Sequence, residues 1–198
     1  MMVKEALKID NNELEFYEIF FSYVMAATKD CFAQFNNGEA TVNRPIPDSI
    51  QINYDHWVCA ITIKLDVATV GIKLHYSSAV ARILASKRLQ QPPNSIPNKI
   101  LGDIIQEYIN LVMGQIKKQF SSVDISVMIP QTAPARDMED PRSEVLDRSS
   151  TTWQLFWPHE SVFFSCIIKI EKDISEIDLD KLREPCEEDD NDGDMEFL

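Results

Sequence analysis

The sequence predicts an α+β protein, with helices packed on one side of antiparallel strands, and two observations carry that expectation. Stretches with apolar residues at helical spacing alternate with short runs rich in β-branched and aromatic residues. These stretches also follow one another as helix, three strands, helix, and then again helix and three strands. A helix–three-strand arrangement used twice, without sequence repetition, segregates the helices from the strands as an α+β domain requires.

The first element is "ELEFYEIFFSYVMAATKDCFAQF", from about residue 13 to 35, whose apolar positions recur at helical spacing and which "NNG" at 36–38 stops. It should be a long, largely buried helix. After the turn-rich "NRPIPDS" the chain alternates in "IQINY", is densely β-branched in "WVCAITIKL" and returns in "VATVGIKLHY", which predicts three strands in meander order. "SSAVARILASKRL" reads as a shorter helix, with Ser77 or Ser78 as its N-cap, ending before Pro92 and Pro93. A second long helix begins near Pro97 and runs to about Phe120.

"VDISVMI", "TTWQLFW" and "SVFFSCIIKIEK" form the second set of strands, the last two joined by a tight turn at Pro158 to Glu160. Between the first two lies "PQTAPARDMEDPRSEVLDRSS", a mobile loop at about 130–150 rather than an element.

At 198 residues the chain suits one domain, residues 1–183, followed by an acidic tail at 184–198. The tail holds eight of the acids behind the net charge of −13 and no Lys or Arg, and with so few apolar groups it should be disordered. An acidic body with a more acidic tail repels phosphate backbones and anionic lipid, so neither nucleic acid nor a membrane surface is expected as a partner. Cys31, Cys59, Cys166 and Cys186 show no metal-type spacing and read as reduced thiols of a cytoplasmic protein. His56, His75 and His159 are far apart in sequence and isolated from acidic pairs, so no metal site is expected. The apolar run "IFFSYVMAA" is too short to span a bilayer.

The chemistry concentrates in "GDIIQEYINLVMGQIKK", Gly102 to Lys118. In a helix at about 100° per residue, Asp103, Glu107 and Asn110 fall within roughly 60° of one another, and Leu101, Ile105, Tyr108, Val112 and Ile116 take the opposite side. Gly114 and Lys117 continue the polar stripe, the glycine leaving room for another surface to come close. The same spacing also describes an ordinary solvated helix face. No phosphate-cradling loop, dinucleotide fingerprint or nucleophile elbow appears elsewhere, which argues against a self-contained NTPase, oxidoreductase or hydrolase.

Asp103-Ile-Ile-Gln-Glu107-Tyr-Ile-Asn110, followed by Met113-Gly114, resembles the signature of the CheC/CheX family of chemotaxis phosphatases: an acidic or serine residue, three spacers, Glu, two spacers and Asn on a long helix. The likeness extends over about residues 13–172, through the Phe- and Ala-rich opening helix, "SSAVARILASKRL" as second helix and "VDISVMIP" after the motif helix. Two-site members repeat the motif on the first helix. Here that helix offers Glu13 with Phe16, Glu15 with Glu18 and Glu18 with Phe21 at the Glu-to-Asn spacing, so the chain is similar to the single-site CheX branch. It departs from the family at Leu65-Asp66 and "IPQTAPARD", where members are usually richer in glycine, and in the long loop and acidic tail.

The resemblance implies a CheC/CheX-like fold, a phosphorylated CheY-like response regulator as partner, and hydrolysis of its phospho-aspartate. Glu107 would form a salt bridge to the regulator's active-site lysine and Asn110 would orient the attacking water; Asp103 would make rim contacts or order Glu107, and Gly114 would admit the partner. Mg²⁺ would be supplied by the regulator, and the chain would form a homodimer. A regulator-binding module without hydrolysis and a dimerisation domain whose helix face is merely wet remain the alternatives.

Overall fold

The computed structural model describes residues 11–36, 40–44, 55–120, 123–135, 148–157, 160–174, 179 and 182. Within them α1 is Asn11–Asn36, α2 Ser78–Leu89 and α3 Asn98–Gln119. Ser77 caps α2, its side chain accepting from the Val80 N–H at 3.1 Å, and Asp55 accepts from the Ser78 N–H at 2.9 Å, so two of the orphan donors of that helix end are satisfied. Ser78 Oγ and the Trp57 indole N–H also donate to Asp55, and the Ser78 hydroxyl is the first cause that holds this carboxyl below its usual range. At the other end Gln90 adopts the left-handed conformation (φ 54°, ψ 41°) and its N–H returns to the Ser86 carbonyl, which stops α2 at Leu89.

Among the described residues seven antiparallel strands make one sheet: β1 Thr41–Asn43, β2 Trp57–Lys64, β3 Ala68–Tyr76, β4 Ser126–Val127, β5 Gln131–Pro134, β6 Ser150–Trp157 and β7 Glu160–Ile170. Their order is β1-β6-β7-β3-β2-β4, with β5 also on β2. The central pair is β3 with β7, in a register that sets Val70 opposite Ile168, Ile72 opposite Cys166 and Leu74 opposite Phe164. With a side-chain period of two, those residues share one face with Ile61, Ile63, Trp153 and Leu155, and all are buried in the single core that α1, α2 and α3 cover. On the other face Thr69, Lys73, Gln154 and Lys169 are exposed or half-buried, while His75, Thr152 and Ser165 are buried. Ile174 and Leu182 enter the same core.

The two halves of the chain interlock rather than stand side by side. β1, from the first half, pairs with β6 of the second, and β4 and β5, from the second, pair with β2 of the first. The expected first strand, "IQINY", lies outside the described residues, and the segment that takes the edge instead is Thr41–Asn43. In the second half the three expected strands are four. Between Ile63↔Val127 and Ala60↔Gln131 the outer chain has one residue more than its partner, a bulge that splits "VDISVMI" into the two-residue β4 and continues pairing in β5. Residues 131–134 therefore belong to the sheet and not to the expected mobile loop, of which 136–147 lies outside the described residues, as does the tail at 184–198. The bulge leaves Ile129 83% exposed at the sheet edge.

His56 and His75, expected to be isolated, are neighbours. The pairing of β2 with β3 brings His56 Nε2 to 3.0 Å from His75 Nδ1, and His75 Nε2 lies 3.0 Å from Ser165 Oγ across to β7. Cys31, Cys59 and Cys166 are free and buried. No described helix is long and apolar enough to cross a membrane.

Ile72, 1% exposed at the middle of the central strand, reports on the sheet–helix core. Ile72→Ala is expected to lower unfolding free energy by about 2 to 5 kcal/mol, read as a shifted denaturant midpoint with an unchanged slope.

Candidate functional site

The polar stripe stands on α3, and what faces the stripe outward is the anchoring of the opposite side. Leu101, Ile104, Ile105, Tyr108, Ile109, Val112, Met113 and Ile116 are all buried, a wider arc than the five positions the spacing indicates. Tyr108 supplies direction as well as burial. Its ring meets Phe32 of α1 edge-on at 5.8 Å, and its hydroxyl donates to the Thr28 carbonyl at 2.8 Å. Thr28 Oγ1 in turn donates to the Met25 carbonyl and accepts the Trp153 indole N–H at 3.0 Å, tying α1, α3 and β6 at one point. Burial, and then the neighbouring Cys31, push the Tyr108 hydroxyl well above the ordinary tyrosine range, so it stays a donor at any neutral pH. At the end of α3, Phe120 stacks on Phe20 at 4.9 Å and meets Tyr23 edge-on at 5.4 Å.

With rotation about the helix axis fixed in this way, Asp103, Asn110 and Gly114 are exposed and Glu107 is half-exposed. The structure thus brings all four motif residues to one outward face. A Cβ built on Gly114 meets nothing within 4 Å, so packing inside this chain does not require a glycine there. Leu111, 45% exposed, adds an apolar contact beside Asn110.

Glu107 also meets Arg88, a contact with no sign in the local sequence pattern. The Arg88 Nη2 lies 2.6 Å and its Nε 3.2 Å from Glu107 Oε1. The two residues are 19 apart and on different helices, and a particular path of the chain joins them. In the α2–α3 connection Pro92, Ile96 and Pro97 are extended and a 3₁₀ turn at Pro93–Ser95 stands between them. Arg82 holds its far end through the Ile96 carbonyl at 2.9 Å and the Asn98 side chain, so the connection runs back along α2. α3 therefore starts beside Arg82 and advances in the same sense as α2, which sets Glu107 across from Arg88. Glu107 is thus ion-paired with Arg88 of α2 at 2.6 Å.

A cavity of about 480 Å³, lined by Asp55, Trp57, Tyr76, Arg82, Lys99 and Gln106 among others, opens on the neighbouring stripe of α3 and contains none of the four motif residues. The four motif residues stand instead on the solvent-facing side of α3. Among the described residues no group of three or more His, Cys, Asp or Glu is placed to hold a metal ion.

The Tyr108 contact is testable by itself. Tyr108→Phe should cost about 0.5 to 1.5 kcal/mol of stability by denaturant titration, the range of one internal hydrogen bond, because the ring remains packed and only the donor to Thr28 is lost.

Residues 58–145, which include α2, the motif helix and β5, match the family model described as chemotaxis phosphatase CheX. No curated protein matches the sequence. Among solved structures, the fold is similar to the chemotaxis protein CheX from Vibrio vulnificus, with a TM-score of 0.61 at 14% identity over 76% of this chain and 99% of that one. It is similar to a CheC-like superfamily protein from Shewanella sp. PV-4, with a TM-score of 0.58 at 11% identity over 76% and 97%. It is also similar to a chain of the CheX–CheY–BeF₃–Mg²⁺ complex from Borrelia burgdorferi, with a TM-score of 0.60 at 10% identity over 76% and 97%. The chain has the mixed helix and antiparallel-sheet fold of CheC/CheX proteins, as its motif and element order imply.

Proposed function

We propose that this CheX-like chain accelerates hydrolysis of the phospho-aspartate of a CheY-like response regulator, with Glu107 docking the regulator and Asn110 orienting the attacking water. The observation that carries the reading is the joint outward placement of Glu107 and Asn110 on a helix whose other side is locked in the core. The match to the CheX family model over residues 58–145, which contains both, supports it, and the similar CheX–CheY complex supports a CheY-like partner.

The chemistry suits so small a site. Hydrolysis of an acyl phosphate passes through a loose transition state, in which water approaches phosphorus in line as the bond to the aspartyl oxygen breaks, releasing phosphate and a free carboxylate. A catalyst has little covalent work and mainly positions and compensates charge. The Asn110 amide can accept from the water with its oxygen and donate toward the phosphoryl oxygens with its nitrogen. Its short side chain on a fixed helix limits the freedom that water positioning must remove.

Glu107, one turn earlier, is suited to meet a cation of the regulator and so register Asn110 in the partner's pocket. In this reading Mg²⁺ belongs to the regulator, Asp103 lies at the rim, and Gly114 admits the partner's surface. Homodimer formation, and action in the cytoplasm where the thiols of Cys31, Cys59 and Cys166 would stay reduced, complete the proposal.

Phosphate release from a phosphorylated regulator, with and without this protein, tests the reading. Asn110→Ala should keep the fold, seen as an unchanged melting temperature, and lose about 2 to 4 kcal/mol of transition-state stabilisation. Equal release rates with wild type and variant would defeat the assignment. Glu107→Ala should raise the half-saturating regulator concentration as well as slow release; normal binding with no turnover would reverse the roles given to the two residues.

A further inference from the structure

We infer that Arg88 is a positioning residue of the docking face: it holds the Glu107 carboxylate in the orientation that meets the regulator's cation and offsets its charge toward the phosphoryl group. The inference rests on the function proposed above. Its observation is separate, the convergence of two donors of one guanidinium, Nε and Nη2, on the single oxygen Oε1 of Glu107.

Two donors of one rigid guanidinium meeting Oε1 fix where that oxygen sits more closely than an ammonium on a flexible stem would. Because both donors meet Oε1, an incoming cation can approach Oε2 while Arg88 stays in place, so docking adds a partner to Glu107 rather than exchanging one. Charge points the same way. A lone carboxylate near Asn110 would repel an arriving phosphoryl group, whereas the Arg88–Glu107 pair has no net charge.

The pair does little for the fold itself. The two side chains are 50% and 40% exposed, and ion pairs so open to water contribute little to stability. Arg88 lies in the last turn of α2, one residue before its end at Leu89, and its guanidinium reaches across to Glu107 of α3. A contact that the fold scarcely needs, made to the residue assigned to docking, is accounted for by the docking step.

The test is phosphate release measured over a range of phosphorylated-regulator concentrations for wild type, Arg88→Ala, Arg88→Lys, Glu107→Ala and the Arg88→Ala/Glu107→Ala double variant. Arg88→Ala should raise the half-saturating concentration on the order of tenfold, with kcat changed less than about twofold and melting temperature unmoved. Arg88→Lys, which keeps the charge and loses the fork, should recover part of that loss. In the Glu107→Ala background, removal of Arg88 should cost nothing more, because its effect runs through Glu107. An unchanged half-saturation for Arg88→Ala, or a full additional loss in the Glu107→Ala background, overturns the inference while leaving the phosphatase reading intact. A wild-type protein that accelerates release from none of the organism's response regulators overturns both.

Discussion

The outward face of α3 depends on how that helix is prevented from turning about its own axis. Apolar burial alone constrains rotation weakly, because eight buried residues cover a broad arc and a small rotation exchanges one aliphatic contact for another. The bond from the Tyr108 hydroxyl to the Thr28 carbonyl is directional, and it is backed by Thr28 Oγ1, which accepts from Trp153. Buried polar groups must find their partners or bear the cost of desolvation, so this junction admits one arrangement where hydrophobic packing would admit several. The position of Asn110 on the outside is the far consequence of a hydroxyl on the inside.

The sheet beneath reinforces that arrangement through its exchange of edge strands. Since β1 pairs with β6 while β4 and β5 pair with β2, neither half can bury its strands without the other. Strand pairs distant in sequence then have to form together, and the helices settle on one surface rather than two. β5 also reaches the motif helix directly, where the Gln106 amide donates to Thr132 Oγ1 at 3.3 Å, so the edge of the sheet helps to seat α3. The opposite face carries threonine, lysine and glutamine with the buried His75 among them, joined to His56 and Ser165 by hydrogen bonds whose donor and acceptor follow the tautomer of the rings.

Around the motif the electrostatics are local. Asp103 and Glu107 would together make this stripe anionic, an unfavourable greeting for a phosphoryl group, and Arg88 stands within hydrogen-bonding distance of the nearer of them. The family model matches the segment that contains all of these groups, and the solved structures that are similar at 10 to 14% identity share its fold. At such low identity the backbone layout persists because it is fixed by burial pattern and connection geometry, which many sequences satisfy.

By itself the sequence determined the three helices to within a few residues, the strands of the sheet's middle, and the stripe of Asp103, Glu107, Asn110 and Gly114, because hydrophobic period and helix caps are local quantities that a chain displays along its length. Only the tertiary structure decided the rest. The edge role of Thr41–Asn43, the bulge between β4 and β5, the meeting of His56 with His75 and the hold of Arg88 on Glu107 each join residues that are distant in sequence or depend on a register no local pattern announces. Period tells which side of an element is buried, but not which element will cover it; that choice is made when long-range pairing and the path of the connections bring separate surfaces together.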